Sequence, residues 1–164
     1  MTVAVCPGSF DPFTLGHLDV VRRASTMFDS VVVGVARNSA KSALLDATTR
    51  VELVARATAH LGNVRAELVP GLLVDFCRDV GASAIVKGLR GGADLDAEVP
   101  MAHMNRHLTG VETVFVLGDP ALAHVASSMV KDVARYGGQI DDLVPSGVAD
   151  AVRAALTRTP QEER

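Results

Sequence analysis

Five short, valine-rich apolar runs, at residues 3–6, 31–36, 64–69, 84–87 and 113–117, limit the possible folds of this chain more than any other feature. Each is almost continuously apolar rather than alternating, the pattern of strands buried on both faces, as in a parallel sheet. Helix patterns fill the intervals. His17, Val21, Ala24 and Phe28 recur on one face, and Asp46 stands as the N-cap of a helix through Val51, Val54 and Leu61. Leu72, Phe76 and Val80 form the next stripe, closed by Gly81. Residues 94–108 and 127–136 also read as helices, the second ending at Gly137-Gly138. A last helix follows Pro145-Ser146 with Val148, Val152 and Leu156 inward. This alternation predicts a single-domain α/β fold over residues 1–157: a Rossmann-like, doubly wound, parallel five-stranded sheet with flanking helices. Residues 158–164 are left as a polar tail.

Composition narrows the function. Aromatic residues are only 4% of the chain against 48% hydrophobic, so the core must be built from Val, Leu and Ala. A net charge of -3 gives no general attraction to nucleic acid or to an anionic membrane, and neither is expected as a partner. Phosphate recognition therefore has to come from a few placed cations. No run approaches ~18 apolar residues and the first residues lack a signal-peptide pattern, so a cytoplasmic location is expected. Cys6 and Cys77 lie far apart without metal-type spacing.

Doubly wound sheets bind ligands beyond the carboxyl ends of their strands, and the unusual residues fall there. The first strand is followed by Cys6-Pro-Gly-Ser-Phe-Asp-Pro-Phe-Thr-Leu-Gly-His17. Gly8 and two prolines stiffen the loop, Thr14 is placed to cap the next helix, and His17 falls at about the third helical position. Free N–H groups and the helix dipole then face one spot beside an imidazole, an arrangement suited to phosphate. Neither GxGxxG nor GxxxxGK[ST] occurs. On these residues alone, a phosphate site and a structural loop with a surface histidine both stay open.

Further blocks decide between them. Thr-Leu-Gly-His is the [T/H]xGH signature of a nucleotidyltransferase superfamily. Together with Lys-Gly-Leu-Arg at 87–90, Ala-His-Met-Asn-Arg-His at 102–107 and Ser-Ser-Met-Val-Lys-Asp-Val at 127–133, it resembles the bacterial phosphopantetheine adenylyltransferase family in order and spacing. The resemblance implies reversible adenylyl transfer from ATP to 4′-phosphopantetheine, giving dephospho-CoA and pyrophosphate. It also implies Mg²⁺ bound with ATP rather than held by protein side chains, CoA or dephospho-CoA as product or inhibitor, and a homohexamer. It implies His17 as a transition-state stabiliser, assisted by Ser9 and Lys41. It gives Ser9, Lys41, Leu73, Lys87 and Asn105 to phosphopantetheine. To ATP it gives Ser9, Phe10, His17, Gly88, Leu89, Arg90, Glu98, Leu122, Ala123, His124, Val125, Ala126, Ser127 and Ser128.

The chain departs from the family pattern on one side. Aromatic residues common around Glu98 are replaced by Leu95-Asp-Ala, and Pro100 falls where a helix should run, so a kink or restart is expected. The segment 119–126 also lacks the usual aromatics. His103 and His107 have i, i+4 spacing but no third ligand in view, and Lys131 and Asp132 read as solvated. Two alternatives are kept: a related transferase with another phosphorylated acceptor, and a non-catalytic nucleotide- or CoA-binding paralogue.

Overall fold

A computed structural model describes residues 1–37 and 42–158. Five strands, β1 (Val3–Gly8), β2 (Ser30–Ala36), β3 (Val64–Val69), β4 (Ala84–Leu89) and β5 (Glu112–Leu117), form one parallel sheet in the order β3-β2-β1-β4-β5. The helices are α1 (Leu15–Met27), α2 (Ala47–Thr58), α3 (Leu73–Asp79), α4 (Gly92–Thr109), α5 (Ser127–Arg135) and α6 (Val148–Arg158).

The period of two along each strand divides the apolar residues between two faces. Ala4, Cys6, Val31, Val33 and Val35 pack with Phe13, Val21, Ala24 and Val54 of the α1 and α2 side. Val3, Val5, Val32 and Ile85 pack with Phe76 and Cys77 of α3. A third cluster joins Leu53 of α2 to Val130 of α5 and Val148 and Val152 of α6. Buried side chains of this size contribute roughly 1.5–3 kcal/mol each, so aliphatic burial on both faces carries the sheet.

Asp46 does cap α2, accepting the Thr49 N–H at 2.9 Å, and Gly81 takes the left-handed φ of +68° that ends α3. Leu72 differs from expectation. It is the exposed residue preceding α3, and the inward side chains are Val74, Phe76 and Cys77. Pro100 neither ends nor restarts α4, which runs through it. The hydrogen bond that proline cannot donate would have ended on the carbonyl of Asp96. Both residues are exposed, which leaves that acceptor open to solvent.

β1 and β4 extend beyond their apolar runs, β1 through Pro7-Gly8 and β4 through Gly88-Leu89. These neighbouring strands are where the sheet order reverses: the chain leaves β1 towards β2 and β3, then crosses back to β4 and β5. A crevice at this switch point is dictated by the topology.

Candidate active site

The crevice is present as a cavity of about 320 Å³, in the size range of small-molecule sites. Its floor is Pro7 and Gly8 of β1 with Lys87, Gly88 and Leu89 of β4. One wall is Thr14, Gly16, His17 and Val20 of α1 and its cap, and another is Arg90, Asp94 and Glu98. Leu122, Val125, Ala126 and Ser127 close the third. Gly88 is needed because a Cβ there would stand 2.4 Å from Cγ2 of Val20.

His17 is fixed before any ligand arrives. The Thr14 N–H donates to His17 Nδ1 at 3.0 Å while the His17 N–H donates to Thr14 Oγ1 at 3.3 Å, a reciprocal capping box. Phe13 stacks on the imidazole at 5.6 Å and Phe10 meets it edge-on at 5.1 Å. Phe10 takes a left-handed φ of +49° to place its ring, and the ring fills the space that a Cβ on Gly8 would need. Burial, helped by the positive charges of Arg90 and Lys87, pushes the His17 pKa down to about 4. At neutral pH the ring is therefore uncharged. Because Nδ1 accepts from a backbone N–H, the single ring proton sits on Nε2, leaving that nitrogen as the donor.

The α1 start offers fewer free N–H groups than the sequence suggests, and the two helix starts at the cavity are built differently. At α1 the Leu15 N–H is taken by the Leu143 carbonyl and the His17 N–H by Thr14. Only Gly16 of the first turn keeps a free N–H among the described residues. At α5 the N-cap is Ala126, with no side-chain cap, so neither Ser127 nor Ser128 acts as the cap. Ser127 Oγ donates instead to the Pro12 carbonyl at 2.8 Å. The start of α5, which has no side-chain cap, is reached from the cavity through Ala126 and Ser127, an arrangement suited to an anion.

Both cations of the cavity are paired with carboxylates from one face of α4. Lys87 Nζ lies 3.1 Å from Glu98, while Arg90 holds Asp94 through its backbone N–H, Nε and Nη2 at 2.8–2.9 Å. The four-residue spacing of Asp94 and Glu98 puts both carboxyls on the cavity side. Beside Lys87 a smaller pocket opens, lined by Leu73, Glu98, Met101, Asn105 and Thr113. Asn105 is buried there, and the Thr113 hydroxyl is buried without a hydrogen-bond partner.

A family model described as cytidylyltransferase-like matches residues 5–133. A phosphopantetheine adenylyltransferase of Nocardioides sp. is 54% identical over 156 residues, covering 95% of this chain and 98% of that protein. One from Streptomyces coelicolor is 50% identical with the same coverage, and one from Bifidobacterium longum is 47% identical with 99% of both chains covered. The chain belongs to the phosphopantetheine adenylyltransferase family. A solved structure described as a nicotinate-nucleotide adenylyltransferase, from Vibrio parahaemolyticus, superposes with a TM-score of 0.71 at 17% identity. It covers 97% of this chain and 98% of the other, and shows the shared fold.

Against this family background, the residues expected at the site separate into groups. His17, Phe10, Lys87, Gly88, Leu89, Arg90, Glu98, Leu122, Val125, Ala126 and Ser127 line the cavity, and Leu73 and Asn105 line its neighbour. Ser9, Ala123, His124 and Ser128 are exposed and stand off the cavity wall. Lys41 lies outside the described residues. His103 and His107 are both exposed, and among the described residues no cluster of three or more His, Cys, Asp or Glu could hold a metal.

Lys131 is a correction: it is ion-paired at 2.9 Å with buried Asp11 rather than solvated, whereas Asp132 is exposed as expected. Sequence reading also passed over Asp19, buried on α1, which binds Arg22, Arg23 and the Asp119 N–H and so ties the β5–α5 connection to α1. No local pattern marks that residue, because its decisive partner lies 100 residues away.

Proposed function

We propose that this protein transfers the adenylyl group of ATP to 4′-phosphopantetheine, releasing pyrophosphate and forming dephospho-CoA, a late step of coenzyme A biosynthesis. The observation that carries this reading is the neutral His17 donor, held beside two cations and an uncapped helix start at the switch point, in a chain about half identical to adenylyltransferases over nearly its full length. An oxygen of the acceptor phosphate attacks the α-phosphorus of ATP in line. The bond from the α-phosphorus to the bridging oxygen breaks, and pyrophosphate leaves with the electron pair. The nucleophile is already an anion, so no general base is required. The protein must align two polyanions and stabilise charge on the five-coordinate phosphorus.

In this reading His17 Nε2 donates to the α-phosphate, Arg90 and the α5 start hold the β- and γ-phosphates, and Lys87 holds the acceptor phosphate together with Lys41 and Ser9. Leu73 and Asn105 line the pantetheine arm. Phe10, Glu98 and the 122–128 segment border the nucleotide. Mg²⁺ bound with ATP would neutralise phosphate charge, and Asp94, Glu98 and Asp119 are the carboxylates on the wall that a hydrated ion would face.

We infer further that copies of the chain assemble, as a homohexamer on the family resemblance. The support is the row of exposed apolar residues Met101, Met104 and Leu108 on α4, with Val114 and Leu117 on the edge strand β5. Light scattering of the purified protein tests this.

Pyrophosphate release with ATP and a panel of acceptors tests the activity: 4′-phosphopantetheine, nicotinamide mononucleotide and glycerol 3-phosphate. Selective turnover of phosphopantetheine is expected. Preference for another acceptor, or CoA binding without turnover, overturns the assignment.

A further inference from the structure

Asp11 and Arg50 are buried charged side chains that do not line the cavity. Arg50, in the first turn of α2, has no carboxylate partner among the described residues. Its guanidinium donates to three carbonyls instead: Nε to Leu45 at 3.0 Å, and Nη1 to Ser9 at 2.6 Å and Ala36 at 3.0 Å. Ser9 follows β1, Ala36 ends β2 and Leu45 leads into α2. One planar cation thus fixes the outlets of the two strands that carry the acceptor-side and nucleotide-side loops.

Asp11 completes the junction. Its two oxygens accept the N–H groups of Leu45 and Leu44 at 2.9 Å each, and Lys131 Nζ of α5 joins one of them at 2.9 Å. Burial alone would raise this carboxyl, but the two backbone donors and Lys131 hold it below the usual range. Through Lys131 the junction reaches α5, whose uncapped start faces the cavity. Asp11 itself sits in the loop that carries Thr14 and His17. The segments meeting at these three side chains are therefore the His17 loop, both flanks of the stretch after β2, and α5.

We propose that Asp11, Arg50 and Lys131 are positioning residues that set the spacing between the loops handling the two phosphate substrates, and that they act on turnover rather than on nucleotide affinity. This rests on the adenylyl-transfer reading. Arg is required at position 50 because a lysine ammonium carries the charge but lacks the planar fork that reaches carbonyls on three segments at once. Misplacing reacting groups by about 1 Å costs on the order of 100-fold in rate.

The test compares Arg50→Lys, Asp11→Asn and Lys131→Met with wild type. The readouts are thermal melting, calorimetric ATP binding, and steady-state kcat and KM for both substrates per folded enzyme. Expected is a fall in kcat of about 10- to 100-fold for Arg50→Lys and Asp11→Asn, with ATP affinity changed less than about threefold. The double change Asp11→Asn with Lys131→Met should cost less than the sum of the singles. Unchanged kcat in folded variants with lowered melting temperature would mean a purely structural role and overturns the proposal. A raised KM for ATP in Lys131→Met with unaltered kcat also overturns it, by making Lys131 a nucleotide ligand. If the Asp11 and Arg50 variants fail to fold, Lys131→Met decides alone on the same two criteria. The wild-type acceptor panel separates failure of the clamp from failure of the activity, because the clamp comparison runs on whichever acceptor is turned over.

Discussion

The His17 loop and the α4 wall face the same cavity but are built oppositely. The loop at 7–17 is locked by backbone partners, a reciprocal cap and three packed rings, so its donor is set before substrate binds. The α4 wall buries only Asn105, leaves Met101, Met104 and Leu108 exposed, and reaches the cavity through ion pairs to Lys87 and Arg90. Phosphates can replace carboxylates on those cations, whereas nothing in a ligand can replace the frame around His17. On the proposed reaction, preorganisation is thus concentrated where charge would develop, and adjustability where substrates would enter.

The largest effect expected from breaking the loop is that of His17→Ala. Pyrophosphate release should fall by about two to three orders of magnitude, roughly 3 kcal/mol, while ligand binding stays largely intact. Near-normal turnover would remove the loop from the chemistry. Gly88→Ala tests the contact of the floor with α1. A Cβ 2.4 Å from the stiff, branched Val20 side chain should cost about 1–3 kcal/mol, read as a lowered melting temperature. Thr14→Ala should cost about 1 kcal/mol through the lost cap, with turnover falling as the imidazole loses part of its frame. An unchanged melting curve would show that the box does not stabilise α1.

The α4 wall should respond far less. Asp94→Asn removes an ion pair whose arginine is half exposed, so stability should change by about 0.5 kcal/mol or less in chemical denaturation. A large loss would mean that α4 is as rigidly built as the loop. The smallest effect expected is that of pH above about 7.5, where the unfolded imidazole has also lost its proton. With its folded pKa depressed to about 4 from 6.5, His17 stays neutral there and contributes no slope. On acidification from about 6.5 towards about 4 the unfolded chain binds the proton first, so stability falls across that window. Imidazole ¹⁵N spectra check both points: an Nε2-protonated neutral ring at pH 7, and a midpoint near 4. A midpoint near 6.5 would contradict the buried, cation-flanked environment.

Much of the fold was legible because strand and helix periods are local properties. The five apolar runs became the five strands, Asp46 and Gly81 bounded their helices, and Thr14 capped α1 with His17 three residues on. The misreadings share one cause. Leu72 and Lys131 were judged from neighbours in sequence, yet their surroundings are set by distant segments, as in the 120-residue separation of Lys131 from Asp11. At Pro100 the helix does not restart for a related reason: the cost of a missing helical bond depends on whether the orphaned carbonyl is open to solvent, which only exposure decides.

The sequence by itself determined the alternation of elements, the aliphatic core and the family, since these follow from spacing, composition and extended motif identity. The tertiary structure alone decided the protonation and tautomer of His17, the pairing of Lys87 and Arg90 with α4 carboxylates, and the junction of Asp11, Arg50 and Lys131. Those properties depend on distances between groups far apart in the chain and on their desolvation, and neither is written in any local pattern.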